Sequence, residues 1–196
     1  MLKAKHDFTL LATSGAFRLQ IENISLFIRK CDVSSSIVVG HEKPLQQALV
    51  QIPFTRIETK TFTLSSGLKS VIIPNAMNGI LPSRMILGLV SNSAVSGEFK
   101  KNPFSFKNFN RSYISLSENG VQIPMSAYTP SYKNDLFARN YLSLFTDLAQ
   151  HNTNVTLEEY KDTCLYVFDL AQDYSASDPF MNVARSGDIS IPLKFD

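Results

Sequence analysis

The chain has 196 residues, of which 44% are apolar and 18% charged, as in an ordinary folded domain. Nineteen Lys and Arg stand against seventeen Asp and Glu, and the net charge of +2 gives no general electrostatic reason to bind nucleic acid or anionic lipid. Fourteen Phe and seven Tyr without Trp suit a β-sandwich whose two inner faces interlock large side chains.

The first third of the chain predicts two strands and a helix. Residues 17–30 alternate between apolar and polar side chains, which predicts a long strand with a bulge where the phase changes. The segment 34–40 precedes residues 41–49, where an early Pro followed by helix formers predicts a short helix. Strict alternation over 56–64 predicts another strand.

The middle of the chain predicts further strands. Residues 68–73 form one that ends at Pro74, and the nearly continuous apolar run 84–90 predicts a strand covered on both faces. Residues 113–124 alternate on both sides of Asn-Gly, a pair that tolerates the positive φ values of a type I′ turn, and therefore predict a hairpin.

One longer helix and two closing strands complete the pattern. Asn134 is the predicted cap of the helix, whose apolar residues recur at helical spacing. Residues 156–159 have the form of a capping box. Residues 165–170 and 188–195 are predicted strands, and Pro192 should lie at an edge or a bulge because it cannot donate to a ladder.

The strands number about eight, which predicts an all-β fold: an antiparallel eight-stranded jelly-roll β-sandwich with one or two inserted helices. A different eight-stranded sandwich or barrel would give the same pattern.

The sequence offers little material for catalysis or for a metal site. His6, His41 and His151 lie far from each other and from the two cysteines, and no nucleophile elbow, P-loop or dinucleotide-binding motif is present. Cys31 and Cys164 are too far apart to suggest a zinc site, and we expect two half-buried free thiols in a reducing compartment. We therefore predict no catalytic residue, no cofactor, no metal and no enzyme activity.

Residues 98–111 interleave four aromatic rings with four cations, a pattern open to three interpretations. Rings beside cations can bind single-stranded nucleic acid; the rings can anchor a long loop on the sandwich; or the loop 96–110, with residues 127–134, can contact a neighbouring subunit. The candidate interface residues are Phe99, Lys101, Phe104, Phe106, Phe109, Arg111, Tyr128 and Tyr132.

Several segments, taken together and in order, resemble a known family. They are Ile24 to Lys30, Arg56 to Phe62, Leu81 to Asn92, Lys101 to Lys107, Val121 to Pro124, Tyr141 to Phe145, Phe180 to Val183 and Gly187 to Phe195. The resemblance is to the hexon-type, double jelly-roll major capsid protein of Maverick/Polinton elements and adintoviruses.

This resemblance implies a structural role in a virion. The family's protein carries two jelly rolls in tandem and trimerises, whereas this chain matches the second: residues 17–196 would be the jelly-roll domain, and the arm 1–16 would hold the closing strand of a missing first one. The implied partners are copies of itself, as a homotrimer, and other capsid proteins, with no membrane, sequence-specific nucleic acid or small-molecule substrate.

The implied location is the capsid, with the protein made in the host cell without a secretion signal. The alternative from another class is a monomeric β-sandwich that binds carbohydrate or single-stranded nucleic acid.

Overall fold

The computed structural model describes residues 13–14, 20–50, 54–148, 154–173, 176 and 183–196. The predicted arm strand (residues 3–11), His6, His151 and most of the matched segment 180–183 lie outside these residues. The chain divides into two compact units, Leu19–Thr59 and the remainder, each of which is described by itself.

The larger unit is mostly β, with antiparallel sheets and a few short helices, which confirms the β class predicted from alternation. Its elements are β1 (Ser70–Ile80), β2 (Arg84–Gly88), α2 (Asn92–Val95), β3 (Arg111–Glu118), β4 (Val121–Tyr128), a 3-10 turn (Tyr132–Asn134), α3 (Ala138–Thr146), α4 (Leu157–Tyr160), β5 (Leu165–Asp169) and β6 (Ser186–Phe195). Six strands are thus described instead of the eight predicted.

The strands form two sheets around one apolar core. A four-stranded sheet has the order β1-β6-β3-β4 and a two-stranded sheet pairs β2 with β5, all antiparallel. The core contains residues of both sheets, for example Ile114, Ile191 and Phe168, with Tyr128 of β4 in edge contact with two rings of β5. Burial of these side chains stabilises the larger unit.

The predicted hairpin is confirmed, because its turn depends on local chemistry. Asn119 and Gly120 have φ values of 50° and 84°, as a type I′ turn requires, and β3 and β4 flank them. The Asn119 side-chain oxygen accepts a 3.0 Å hydrogen bond from the Asp188 backbone N–H, so the turn is also tied to β6.

The capping box is present as predicted. The Thr156 side chain accepts a hydrogen bond from the Glu159 backbone, and the Glu159 carboxylate accepts from the Thr156 backbone N–H at 2.8 Å. The longer helix also forms, but it begins at Ala138 with Phe137 at its N-cap position. Asn134 does not cap it, because Asp135 turns the chain through the left-handed region first.

Three details of the predicted strands are wrong. The break expected at Pro74 is a bulge inside β1, where the register against β6 shifts and Asn75 has a φ of 49°. β2 is not covered on both faces, since Ile86 is 52% exposed. Pro192 lies opposite Ile72 in β6, which runs between β1 and β3 in the four-stranded sheet and not at an edge.

The smaller unit, which we call the apolar arm (Leu19–Thr59), contains α1 (Ser35–Gln47). The helix begins six residues before the predicted one and includes Pro44. Residues 20–30 and 54–59 of the arm belong to neither sheet, and neither do residues 60–64, so the predicted strands 17–30 and 56–64 are wrong over their described residues.

All described residues of the arm are exposed. Its large apolar side chains above 40% exposure number fourteen: Ile21, Ile24, Leu26, Phe27, Ile28, Val33, Ile37, Val38, Val39, Leu45, Leu49, Val50, Phe54 and Ile57. α1 therefore lacks the tertiary packing that usually stabilises a helix of this length. Across the described ranges, no helix combines the length and the apolar character needed to cross a membrane.

Candidate interface and the buried tyrosine cluster

The loop between α2 and β3 carries most of the candidate interface residues, and hydrogen bonds fix its shape. The Lys101 amine bonds the Ser93 hydroxyl at 2.8 Å and pairs with the Glu98 carboxylate at 3.0 Å. The Asn102 side-chain oxygen accepts from the Phe104 N–H at 2.9 Å. These contacts tie the first half of the loop to α2 and turn the chain at Asn102.

Two adjacent loop residues, Phe106 and Lys107, bond to residues that flank β5 and β2. The Phe106 carbonyl accepts from the Cys164 N–H at 2.8 Å, and the Lys107 N–H donates to the Leu89 carbonyl at 2.9 Å. The Phe106 ring lies against Gly88, where an added Cβ would approach its Cδ1 to 2.5 Å. Phe106 is half-buried, so it anchors the loop, which is the second of the three interpretations.

Other aromatic residues of the loop face outward. Phe104 is 60% exposed and Phe109 is 44% exposed. Phe109 and Asn110 both have positive φ values, and the Asn108 side-chain oxygen accepts from the Asn110 N–H at 2.9 Å, which turns the chain sharply before β3. Phe99 is half-buried and Lys101 is exposed. These four candidates retain surface that a partner could cover.

Arg111, Tyr128 and Tyr132 instead lie inside the chain, with exposures of 1%, 6% and 9%. Their side chains offer almost no surface to a neighbour, so we omit them from the interface. Sequence spacing gave no signal for this, because Arg111 is buried by contact with Tyr166, a residue of β5 far along the chain.

Arg111 belongs to a buried cluster of tyrosines around β5. Its guanidinium carbon stands 3.8 Å from the centroid of the Tyr166 ring, a cation–π contact. Its Nε and Nη2 atoms have no hydrogen-bond partner within the described residues. The Tyr132 and Tyr166 hydroxyls hydrogen-bond each other, and the Tyr160 hydroxyl donates to the Leu165 carbonyl at 2.7 Å.

Burial keeps the tyrosine hydroxyls and the thiol of this cluster protonated and neutral. Burial raises the pKa of the hydroxyls of Tyr132, Tyr160 and Tyr166, and for Tyr166 it outweighs the opposing effect of the Arg111 charge. Burial likewise raises the pKa of the Cys164 thiol, which donates to the Tyr160 carbonyl. A neutral thiol is a poor nucleophile, so this arrangement supports packing and not covalent chemistry.

The two cysteines differ more than the sequence predicted. Both are free, but Cys164 is fully buried and Cys31, in the apolar arm, is exposed, so neither is half-buried. His41 lies exposed in α1. The described residues contain no group of three or more His, Cys, Asp or Glu side chains placed to hold a metal ion.

Comparison with known proteins gives one distant similarity. The chain is 20% identical over 187 residues to an uncharacterized protein of Caenorhabditis elegans, an alignment that covers 91% of this chain and 44% of that protein. The chain thus spans less than half the length of this curated relative. No protein-family model matches the chain. No solved structure matches it either.

Proposed function

We propose that this chain is a structural module: a jelly-roll β-sandwich that associates with copies of itself, as part of a capsid protein that builds an icosahedral shell. The observation that carries the proposal is the nested pairing of the strands. β1 pairs with β6, β2 with β5 and β3 with β4. Among the described strands, the first therefore pairs with the last, the second with the second-last, and the two middle strands with each other.

Nested pairing supports a jelly roll for a topological reason. A jelly roll is one long antiparallel hairpin wound around a core, so its strands pair in this nested order and alternate pairs fall in opposite sheets. The β2-β5 pair lies in the second sheet, while β1-β6 and β3-β4 lie in the first, joined by the contact between β6 and β3.

The exposed rings of the loop support association through it. A hydrogen-bonded turn that exposes Phe104 loses less conformational entropy on binding than a free segment would, and exposed aromatic residues such as Phe104 and Phe109 are frequent anchors of protein interfaces. The length of the curated relative is compatible with a second module, because more than half of that protein lies outside the aligned region.

The test is the oligomeric state of the full chain across a range of concentrations. We expect a trimer or larger species by size-exclusion chromatography with light scattering. Phe104→Ser should weaken the association at least about 10-fold, since truncating an interface aromatic residue commonly costs more than about 1 kcal/mol. Met125→Ser on β4, which removes a side chain that is 94% exposed, serves as the matched control and should leave association unchanged.

A monomer at all concentrations would overturn the proposal. Salt-sensitive binding of a single-stranded oligonucleotide by that monomer would then support the binding module instead. If Phe104→Ser lowered only thermal stability and left the oligomer intact, the loop would be an anchor and not an interface.

A further inference from the structure

We infer that the apolar arm of one copy docks, in a second copy, on the edge of β2 that pairs with no other described strand, and adds a strand to its two-stranded sheet. The inference rests on the proposed self-association and names the surfaces that carry it. Fourteen large apolar side chains are exposed in the arm, and a stable interface removes about 800 Å² from each partner, an area that fourteen such side chains can supply.

The arm has the composition of a surface that binds another copy of the same chain. Its basic residues are Arg29, Lys30, Lys43 and Arg56, and its acidic residues are Glu22, Asp32, Glu42 and Glu58. With four charges of each sign the arm has no net charge, so no like-charge repulsion opposes its association with a near-neutral copy. An arm that bound a nucleic acid or an anionic membrane would be expected to carry more basic than acidic residues.

Residues 24–28 have the pattern of a strand without a partner. In a strand, Ile24, Leu26 and Ile28 would share one face, and they are 73%, 84% and 70% exposed; Phe27, on the other face, is 93% exposed. A strand of this kind is stable only when its backbone pairs with another strand and an apolar face is buried. The arm thus supplies backbone donors and acceptors together with an apolar face.

β2 is the edge best suited to accept this strand. The four-stranded sheet ends at β1 and β4, whose Pro74 and Pro124 lack the N–H that an added strand needs. β5 is almost entirely buried, whereas β2 contains no Pro and exposes Ile86.

If residues 24–28 pair with β2, the apolar side chains of the two strands fall on the same face of the sheet. Met85 and Leu87 of β2 face the core side, with Met85 9% exposed, and Ile86 faces away. A neighbouring strand would place Ile24, Leu26 and Ile28 on the core side, beside Met85 and Leu87, because strand neighbours share the same pleat. A two-stranded sheet is marginal by itself, so a third strand would stabilise it.

Cross-linking of mixed isotopic copies tests this directly on the full chain. A 1:1 mixture of ¹⁴N and ¹⁵N protein, reacted with an amine-specific cross-linker, reports contacts between copies as mixed-isotope pairs. We expect mixed pairs joining Lys30 of the arm to Lys107, whose N–H bonds the Leu89 carbonyl just beyond β2. Lys194 lies over the Tyr113 ring on the other sheet and is the control, which should not pair with Lys30.

Substitution in the arm gives an independent readout. Leu26→Ser combined with Ile28→Ser should reduce the yield of mixed Lys30–Lys107 pairs at least 5-fold; both side chains are exposed, so the fold of the chain should persist. Cys31, exposed in the single chain, should react with a thiol reagent at least 5-fold more slowly in the oligomer than in the Leu26→Ser/Ile28→Ser variant.

The possible outcomes separate the two proposals. An oligomer in which Lys30 pairs with Lys194, or in which Lys30–Lys107 pairs are never isotopically mixed, overturns arm docking and leaves the structural module standing. A strict monomer overturns both.

Discussion

At the scale of single residues, Arg111 is a buried charge. Its guanidinium is 1% exposed, and two of its nitrogen atoms lack a hydrogen-bond partner among the described residues, so the cation–π contact and the hydrogen bond with Tyr166 replace only part of the lost hydration. Burial of Arg111 is therefore costly to the fold.

Replacement of Arg111 by an apolar residue should consequently be harmless. We expect Arg111→Met to leave the free energy of unfolding unchanged or to raise it by about 1 kcal/mol, because a well-packed apolar chain has no charge to desolvate. Arg139→Met is the matched control: Arg139 donates to the Ser126 and Ala127 carbonyls at 2.7 and 3.0 Å, so its loss should lower stability by about 1 kcal/mol. Urea titrations of the three proteins provide the measurement, and a loss above about 2 kcal/mol for Arg111→Met would contradict the argument.

The buried tyrosines and Cys164 make the stability of the protein depend on alkaline pH. Burial raises the pKa of these groups in the folded state, so above the ordinary thiol and phenol values of about 8.5 and 10 the unfolded chain loses protons that the folded chain retains. Stability is complete below pH about 8 and should fall above it, by up to about 1.4 kcal/mol per pH unit for each fully ionising group.

Denaturant titrations at pH 7, 9 and 10.5 measure this decline. Tyr160→Phe should be less stable at pH 7, because it loses the 2.7 Å hydrogen bond to the Leu165 carbonyl, yet should decline less steeply above pH 10. Equal slopes for the variant and the parent would show that Tyr160 does not contribute.

At the scale of elements, the turn between β3 and β4 also links this hairpin to β6. Asn119 occupies the left-handed region and its side chain accepts from the Asp188 N–H, so it serves both the hairpin and β6. Gly187 leaves room for this side chain, since an added Cβ there would lie 2.3 Å from the Asn119 side-chain oxygen.

Two substitutions separate these contributions. Asn119→Gly keeps the backbone conformation and loses one hydrogen bond, for an expected cost of about 1 kcal/mol. Asn119→Ala loses the same bond and adds about 1 kcal/mol or more for a Cβ in the left-handed region. Chemical denaturation measures both, and equal stabilities would mean that the turn relaxes into another conformation.

Elements that depend on neighbouring residues could be predicted from the sequence, whereas those that depend on distant contacts could not. The Asn119-Gly120 turn and the Thr156 capping box were predicted because their partners lie within three residues. The stretch 56–64 alternates as strictly as any strand, but alternation does not identify a pairing partner, and in the single chain it joins neither sheet. The β-branched residues Ile37 to Val39 do not favour a helix by themselves, so the sequence did not predict that α1 begins at Ser35.

The candidate site shows the same limit. Anchoring by Phe106 follows from its tertiary contacts with Gly88 and Cys164, which spacing along the chain does not reveal. Burial of Tyr128 depends likewise on two rings of β5, and burial of Tyr132 on the Phe137 ring and the Tyr166 hydroxyl. The alternation of aromatic residues and cations singled out this loop but could not distinguish inward from outward side chains.

At the scale of the whole molecule, the two units should differ in resistance to proteases. Segments with exposed side chains and little packing open easily, while strands with buried side chains do not. At low protein concentration we expect trypsin to cut first after Arg29, Lys30 and Arg56, because these exposed residues lie outside both sheets. Mass spectrometry of early fragments measures the order, and early cuts within residues 111–128 or 186–195 would contradict it.

Under the proposed self-association, the prolines of the two outer strands of the larger sheet would also limit how many neighbours one copy can hold. If each molecule presents one donor arm and one acceptor edge, its valence through backbone pairing is two, so copies can link into rings or linear chains but cannot branch. Pro74 and Pro124 thereby keep growth of the four-stranded sheet from propagating sideways into a fibre.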